Sequence, residues 1–203
     1  DLSKYAKDYY DFLSKEATIT GTTQKEFFDV TRINNDSTKV EIHKDKKDQE
    51  ADLIYQRTFI NAETGEIRLF GFGGDDKFNI AGNVQRSILI RIIGGGGTDS
   101  VVDNSTANGN KTKLYDKDEN TFGTGKDLRK YITRDTLKTE FKPWLFKYDW
   151  FAPKLSLGYN PDDGVYVGGG IIIKKQKFGK APYGYMQSIW GNYAFATGAY
   201  NFW

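Results

Sequence analysis

The first eighteen residues carry the hydrophobic spacing of an amphipathic helix. Apolar side chains recur every three to four positions from Leu2 to Leu13, and Ser3 is a candidate N-cap residue. The pattern predicts one helix within residues 1–18, which would pack on a sheet or join a preceding domain.

From Ile19 onward the spacing changes to the alternation of apolar and polar residues that is typical of strands. Residues 27–42 predict a hairpin around a polar turn, and residues 53–60 predict a further strand. The mixed-charge run 43–52 between them is interpreted as a solvated loop without chemistry.

Two segments further along the chain align with each other at an offset of 23 residues. Ile67–Phe78 and Ile90–Val101 share an Ile-Arg-aliphatic start, two glycines, an aspartate and an apolar residue. A third, weaker copy at Lys113–Asp116 lacks the glycines. A fixed period of this length is typical of stacked structural units. Residues 19–116 are therefore expected to form a short right-handed β-solenoid, or at least two stacked β-arches.

The glycine-rich corners of these segments suggest two kinds of chemistry. Gly94–Val102 fits the nonapeptide pattern of calcium-binding β-rolls, and Gly71–Asn79 fits it except at Phe72. Carboxylates are the hard ligands that calcium prefers. The candidate ligands are Asp76, Asp99, Asp75 and Asp103. Structural glycine turns capped by aspartate remain the alternative, because 23 residues is not the spacing of such rolls.

Composition narrows the remaining functions. The chain of 203 residues has 29 basic and 27 acidic side chains, which gives no general nucleic-acid footprint. It has no cysteine and one histidine, His43, so sites that need thiolates or two imidazoles are excluded. The glycine corners lack the Lys-Ser/Thr pair of a phosphate-binding loop. No catalytic or cofactor-binding residue is assigned, and calcium is the one candidate cofactor.

The last third of the chain changes character. Residues 117–153 are interpreted as a connector that ends in a proline-bounded aromatic cluster at 142–153. Residues 154–203 predict antiparallel hairpins rich in glycine and aromatic residues, with four lysines and no acidic residue from Gly164 onward. Strands of about ten residues with this composition are typical of a transmembrane barrel, and a soluble β-meander is the alternative.

Four segments together resemble a family of Gram-negative outer-membrane proteins. They are Glu66–Asp76, Ile90–Gly95, Tyr159–Gly170 and Gly191–Ala199. In that family a calcineurin-like metallophosphoesterase is followed by a strand-rich linker and a surface-antigen-type barrel. The resemblance implies that residues 20–203 are the linker with the first barrel-like hairpins, and that the chain is a piece of a longer protein.

The resemblance also implies a location and a role. The expected protein is a non-enzymatic domain of the cell envelope, in the outer membrane or periplasm, which links a periplasmic or surface domain to the barrel. Its partners would be the outer membrane or the parent barrel and not nucleic acid, with self-association through exposed strands. A calcium-binding module of a secreted or surface protein is the alternative. A second alternative is part of a phosphoesterase whose metal ligands have no counterpart in this chain.

Overall fold

The computed structural model describes residues 1–44, 52–117, 121–143 and 148–202. Within them the protein is mainly β and forms two compact units, Asp1–Phe141 and Lys142–Trp203. Most of the charge run that was interpreted as a loop, residues 45–51, lies outside the described residues. The same is true of residues 144–147 in the aromatic cluster.

The N-terminal helix α1 spans Leu2–Ser14, as the hydrophobic spacing predicts. Its N-cap is Asp1, whose carboxylate accepts the backbone N–H of Ser3. The expectation that Ser3 caps the helix was therefore wrong by two positions, because the acidic side chain of Asp1, two residues earlier, accepts the N–H of Ser3. A second helix, α2, is a single turn at Thr136–Thr139.

The strands of the first unit are β1 (Glu16–Thr20), β2 (Glu26–Arg32), β3 (Ser37–Lys44), β4 (Asp52–Ile60), β5 (Glu66–Phe70), β6 (Lys77–Ala81), β7 (Leu89–Ile93), β8 (Ser100–Asp103), β9 (Thr112–Asp116), β10 (Phe122–Gly125) and β11 (Leu128–Ile132). Sheet A has the order β1-β5-β7-β9-β11 and is parallel throughout. Sheet B has the order β10-β8-β6-β2-β3-β4. It is parallel from β10 to β2 and antiparallel from β2 to β4.

The chain alternates between the two sheets, so that each pass through both sheets lies beside the previous one. The two segments that align at an offset of 23 residues are neighbours in this order: Ile67 pairs with Ile90, and Phe78 pairs with Val101. Their glycine corners also meet, through a parallel bridge between Gly73 and Gly96. Aligned residues of the sequence therefore lie directly next to each other.

The predicted hairpin is confirmed as β2 and β3, and the predicted strand that follows it as β4. The insertion of β3 and β4 explains why the offset between the first pass, β1 and β2, and the second pass, β5 and β6, is larger than 23 residues. Phe28 pairs with Phe78, 50 residues later, because β3 and β4 extend sheet B before the chain returns to sheet A.

A hydrophobic core lies between sheets A and B. It combines Ile67, Leu69, Ile90, Ile92 and Leu114 from sheet A with apolar side chains of sheet B. Residues of like kind stack on one another: the rings of Phe28 and Phe78 lie 4.5 Å apart at an angle of 20°. This stacking follows from the parallel register, which places the same strand position of successive passes next to each other.

The stretch 122–132, interpreted from the sequence as part of a connector, adds a strand to each sheet. β10 pairs with β8 and β11 pairs with β9, both in parallel. Lys130 occupies the inward position beside Leu114, and its ammonium group donates to the carbonyl of Thr121. An inward-facing charge on an edge strand is a recognised way of preventing further strand addition.

Arg32, at the end of β2, is the largest side chain with almost no exposed surface. A guanidinium has five N–H donors, and the contacts of Arg32 satisfy all of them. The acceptors are the hydroxyls of Ser105, Ser87 and Thr112 and the carbonyls of Ile88 and Lys111. Burial lowers the pKa of Arg32 from its usual value, while the nearby Asp103 opposes that shift.

The second unit is a four-stranded antiparallel sheet, which confirms the hairpins expected there. Its strands are β12 (Trp150–Asn160), β13 (Gly164–Lys175), β14 (Tyr185–Ala194) and β15 (Tyr200–Phe202), in sequence order across the sheet. β12 and β13 are joined by a tight turn, and β13 and β14 by the longer segment 176–184. No helix in the described ranges has the length and apolarity needed to cross a bilayer.

Candidate functional site

Three acidic side chains occupy one corner of the first unit, where strands of sheet B begin. They are Glu26, Asp76 and Asp99, and we call them the acidic corner. The residues that follow them, Phe27, Lys77 and Ser100, pair with one another across neighbouring strands. The three acids therefore form a row across the strands. Asp76 is 0% exposed and Asp99 is 1% exposed, and Glu26 is equally buried.

Backbone hydrogen bonds connect the acidic corner from one pass to the next. The N–H of Glu26 donates to Oδ1 of Asp76 at 2.9 Å, and the N–H of Asp76 donates to Oδ1 of Asp99 at 3.0 Å. Each aspartate therefore accepts a hydrogen bond from the backbone of its neighbour in the acidic corner, Glu26 for Asp76 and Asp76 for Asp99. These bonds satisfy donors at the strand entrance that would otherwise be buried without partners.

A glycine lies five residues before each acid of the corner. The pairs are Gly21 with Glu26, Gly71 with Asp76, and Gly94 with Asp99. A Cβ at Gly71 would overlap Oδ2 of Asp76 and the carbonyl of Gly94, and a Cβ at Gly94 would overlap Oδ2 of Asp99. Glycine is required here because the carboxyl group packs directly against the backbone.

In the pass formed by β9 and β10, the carboxylate stands at the position that is glycine in the earlier passes, and a threonine stands at the position of the acid. Asp116 stands at the glycine position and Thr121 at the acid position. The carboxylate of Asp116 accepts from both the N–H and the hydroxyl of Thr121. The hydrogen-bonding function of the corner is thus retained, although its carboxylate now comes from the opposite side of the turn.

Burial dominates the protonation of the two aspartates. It raises the pKa of Asp76 to about 8 and the pKa of Asp99 to about 6. The backbone N–H donors oppose this shift, and the charge of Asp99 adds to it at Asp76. The raised pKa favours the protonated form of Asp76 near neutral pH, because burial penalises its charged form and the charge of Asp99 adds to that penalty.

The four calcium candidates do not share one location. Asp76 and Asp99 are neighbours in the acidic corner, while Asp75 is exposed and accepts the N–H of Thr98 at 2.8 Å. Asp103 lies at the other end of β8 and accepts from the N–H and hydroxyl of Ser105. Within the described ranges, no group of three or more potential metal-ligating side chains is close enough to hold an ion. Calcium binding stays a prediction.

The sequence interpretation missed Glu26, which belongs to the row of Asp76 and Asp99, and Asp116, which stands in the row of Gly71 and Gly94. A signal was present in the chain, since glycine and acid recur five residues apart at 21/26, 71/76 and 94/99. It was hidden because the first pair lies 50 residues, not 23, before the second.

The second unit presents a different candidate surface. In an antiparallel pair directly opposed residues share a face, and the register places most of the large apolar side chains on one side. This apolar face comprises Phe151, Pro153, Leu155, Leu157, Tyr159, Val165, Val167, Ile171, Ile173, Tyr185, Ile189, Tyr193, Phe195, Tyr200 and Phe202. It is open to solvent, with Leu155 87% and Leu157 79% exposed.

The opposite side of the same sheet, the polar face, carries small and polar residues. Ser156 and Asn192 are hydrogen-bonded at 2.6 Å across β13, where Gly168 leaves room between them. The ammonium group of Lys154 lies 3.5 Å from the ring centre of Trp190. These two contacts lie on the face that carries fewer aliphatic side chains, of which Ile172 and Met186 are two.

The comparisons with known proteins add no relative. No family model matches the chain, and no curated protein or solved structure matches it significantly.

Replacing Gly71 with alanine tests the close contact in the acidic corner. We expect Gly71→Ala to lower the free energy of unfolding by about 1–3 kcal/mol, the usual cost of overpacking a buried site. The control is Gly73→Ala in the same loop, where a Cβ would meet its nearest atom at 3.7 Å. Equal denaturant midpoints for the two variants would contradict the proposed contact.

The raised pKa values predict how stability depends on pH. The unfolded aspartates release their protons near pH 3.8, whereas the folded protein holds them to about pH 6 at Asp99 and about pH 8 at Asp76. This contribution to stability is therefore complete below pH 3.8, is lost as pH rises through both folded values, and is constant above pH 8. The expected slope is about 1.4 kcal/mol per pH unit for each proton held.

Urea denaturation at several pH values from 4 to 9 measures this slope. Asp76→Asn should flatten the profile between pH 6 and pH 8, because the amide keeps the Oδ1 acceptor without a titrating proton. Asp75→Asn, at the exposed neighbouring position, should change it only slightly, because the charge of Asp75 is a minor cause of the two raised pKa values. A profile that stays as steep in Asp76→Asn as in the unaltered chain would show that another group carries the dependence.

The calcium hypothesis predicts that millimolar calcium raises the melting temperature and that EDTA reverses the rise, because an ion that binds only the folded chain stabilises it. Asp76→Ala and Asp99→Ala should both abolish the difference. Identical melting curves with calcium and with EDTA would reject calcium binding and leave the acidic corner as a hydrogen-bonded turn.

Proposed function

We propose that the chain is a non-enzymatic domain of the bacterial cell envelope whose second unit belongs to an outer-membrane β-barrel. The observation that carries the proposal is the exposed apolar face. Monomeric soluble proteins rarely expose an apolar patch this continuous. A lipid-facing sheet does so by design, with its polar side chains on the opposite face.

The dimensions of the sheet support this role. β12, β13 and β14 have 11, 12 and 10 residues, and a tilted membrane strand needs about 9–11. The apolar side chains of β12 extend from Phe151 to Tyr159. Eight strand steps cover about 27 Å along the strand, which at a tilt of about 40° spans about 21 Å of the apolar band of about 25 Å on outer-membrane barrels.

The distribution of aromatic residues supports it as well. Tyr159, Tyr193, Phe195 and Tyr200 cluster towards one end of the apolar face, whereas Phe151 and Tyr185 lie towards the other. Barrels in membranes carry such aromatic rings at both interfaces. Within the described residues β12 and β15 are edge strands, so further strands of a parent protein would continue the sheet.

For the first unit we propose a short β-solenoid that acts as the linker before the barrel. Support comes from the parallel pairing of β5 with β7 and of β6 with β8 at one common offset. A phosphoesterase of the kind suggested by the resemblance would lie outside this chain, so the role proposed here is attachment rather than catalysis. The implied location is the outer membrane or periplasm.

Membrane contact is tested by charging the centre of the apolar face. Leu155 is the middle residue of the apolar stretch on β12, and its side chain makes little contact within the sheet. Leu155→Arg should reduce partition of the chain into liposomes or detergent by about 2–4 kcal/mol, the cost of a cation on the lipid face near the bilayer centre. Flotation on a density gradient measures the bound fraction.

Leu155→Met is the matched control, since it changes shape at the same position while staying apolar. It should bind lipid like the unaltered chain. Equal lipid binding by all three proteins, or a chain that stays monomeric in buffer at high concentration and ignores liposomes, would contradict the proposal.

A further inference from the structure

A cavity of about 330 Å³ lies at the end of the second sheet where the chain enters β12. It is lined by Tyr148, Trp150, Lys174, Gln176 and Pro182, all in the second unit. Its volume falls within the lower part of the range that small-molecule sites occupy. The acidic corner and the apolar face do not contribute to it.

Two aromatic rings form exposed walls of this cavity. Tyr148 is 57% and Trp150 is 46% exposed, and Trp150 lies on the polar face opposite Lys174 in the register. A third ring, that of Tyr183, lies beside the cavity and has the ammonium group of Lys174 at 5.5 Å from its centre. Exposed rings in a concave site offer flat apolar surfaces to a ligand.

Gln176 supplies an unused hydrogen-bond acceptor. Its side-chain oxygen Oε1 is buried and has no hydrogen-bond partner in the part of the chain that the structure describes. Its backbone N–H is fixed by Asp149 at 2.9 Å, so the residue is held in place. A buried acceptor without a donor is costly, and a ligand hydroxyl would remove that cost.

The charge around the cavity favours an anion. From Lys174 to Tyr185 the sequence has four lysines and no acidic residue. The carboxylate of Asp149 is engaged with Lys175 at 2.6 Å, on the strand position after Lys174. Lys174 is therefore the cation that the cavity itself presents.

We propose that this cavity binds a sugar unit that carries a carboxylate or phosphate group. The ring of the sugar stacks its C–H face on Trp150 and Tyr148, one hydroxyl donates to Oε1 of Gln176, and the acidic group pairs with Lys174. Each contact uses a group that the lining already presents. The inference concerns the polar face and holds independently of lipid contact by the apolar face.

The test is a titration of the full chain labelled with 5-fluorotryptophan, in a polyoxyethylene detergent that contains no sugar or phosphate. The probes are glucuronate, glucose 6-phosphate, glucose and inorganic phosphate. The fluorine resonance of Trp150, assigned with Trp150→Phe, should shift and saturate with the two acidic sugars. Glucose and inorganic phosphate should each bind at least roughly tenfold more weakly than the two acidic sugars.

Three variants decide which groups carry the binding. Gln176→Met and Lys174→Met should each weaken the acidic sugars by roughly tenfold, because each removes one polar contact. Lys154→Met is the matched control: its ammonium also lies over an aromatic ring on the polar face, but it does not line the cavity. An unchanged Trp190 resonance in Gln176→Met and Lys174→Met confirms that the sheet is intact, whereas Lys154→Met removes the cation over Trp190 and should shift that resonance without changing sugar affinity.

Three results would overturn the proposal. The first is a Trp150 resonance that none of the acidic sugars moves, and the second is unaltered affinity in Gln176→Met. The third is equal affinity for inorganic phosphate and glucose 6-phosphate, which would show a site for charge alone.

Discussion

In-register parallel pairing is the constraint on which the first unit depends. When strands pair in parallel at a common offset, each side chain lies beside its counterpart from the next pass. This benefits the core, where Leu69 adjoins Ile92 and Phe28 adjoins Phe78. The same rule also stacks charges on like charges, which would destabilise the fold without a remedy.

The chain uses a different remedy on each side of its sheets. On the solvent side of sheet A, Arg68 pairs with Arg91 in register, and the carboxylate of Glu66 contacts both, at 2.5 Å and 2.9 Å. In the acidic corner the hydrogen-bond partners of Asp76 and Asp99 among the described residues include no cation. There the row is stabilised by backbone donors, and burial raises the pKa of both aspartates, which favours their neutral forms. Solvent access therefore decides between a counter-charge and neutralisation.

The fold could be predicted where one signal was strong and local. Alternation located β2, β3 and β4, and the 23-residue offset identified the neighbours β5 and β7. The later strands β10 and β11 were not predicted, because they lack the glycine corner and follow a polar stretch. The place of Glu26 in the acidic corner was not predicted, because β3 and β4 are inserted in the sequence between Glu26 and its partner Asp76. The hydrogen bonds that satisfy the guanidinium of Arg32 could not be predicted, since their acceptors come from segments that meet only in the folded chain.

The two units bury their apolar residues in opposite ways. The first has two sheets and places its aliphatic side chains between them, so that Ile67, Leu69 and Ile90 have no exposed surface. In the described residues of the second unit, 142–143 and 148–202, there is one sheet and no second layer, and its aliphatic side chains are exposed. Strands gain independent stability when a hydrophobic face of the sheet is packed against another surface. The proposed bilayer contact would supply that cover, and it agrees with the length of the strands and with the aromatic residues at both ends of the apolar face.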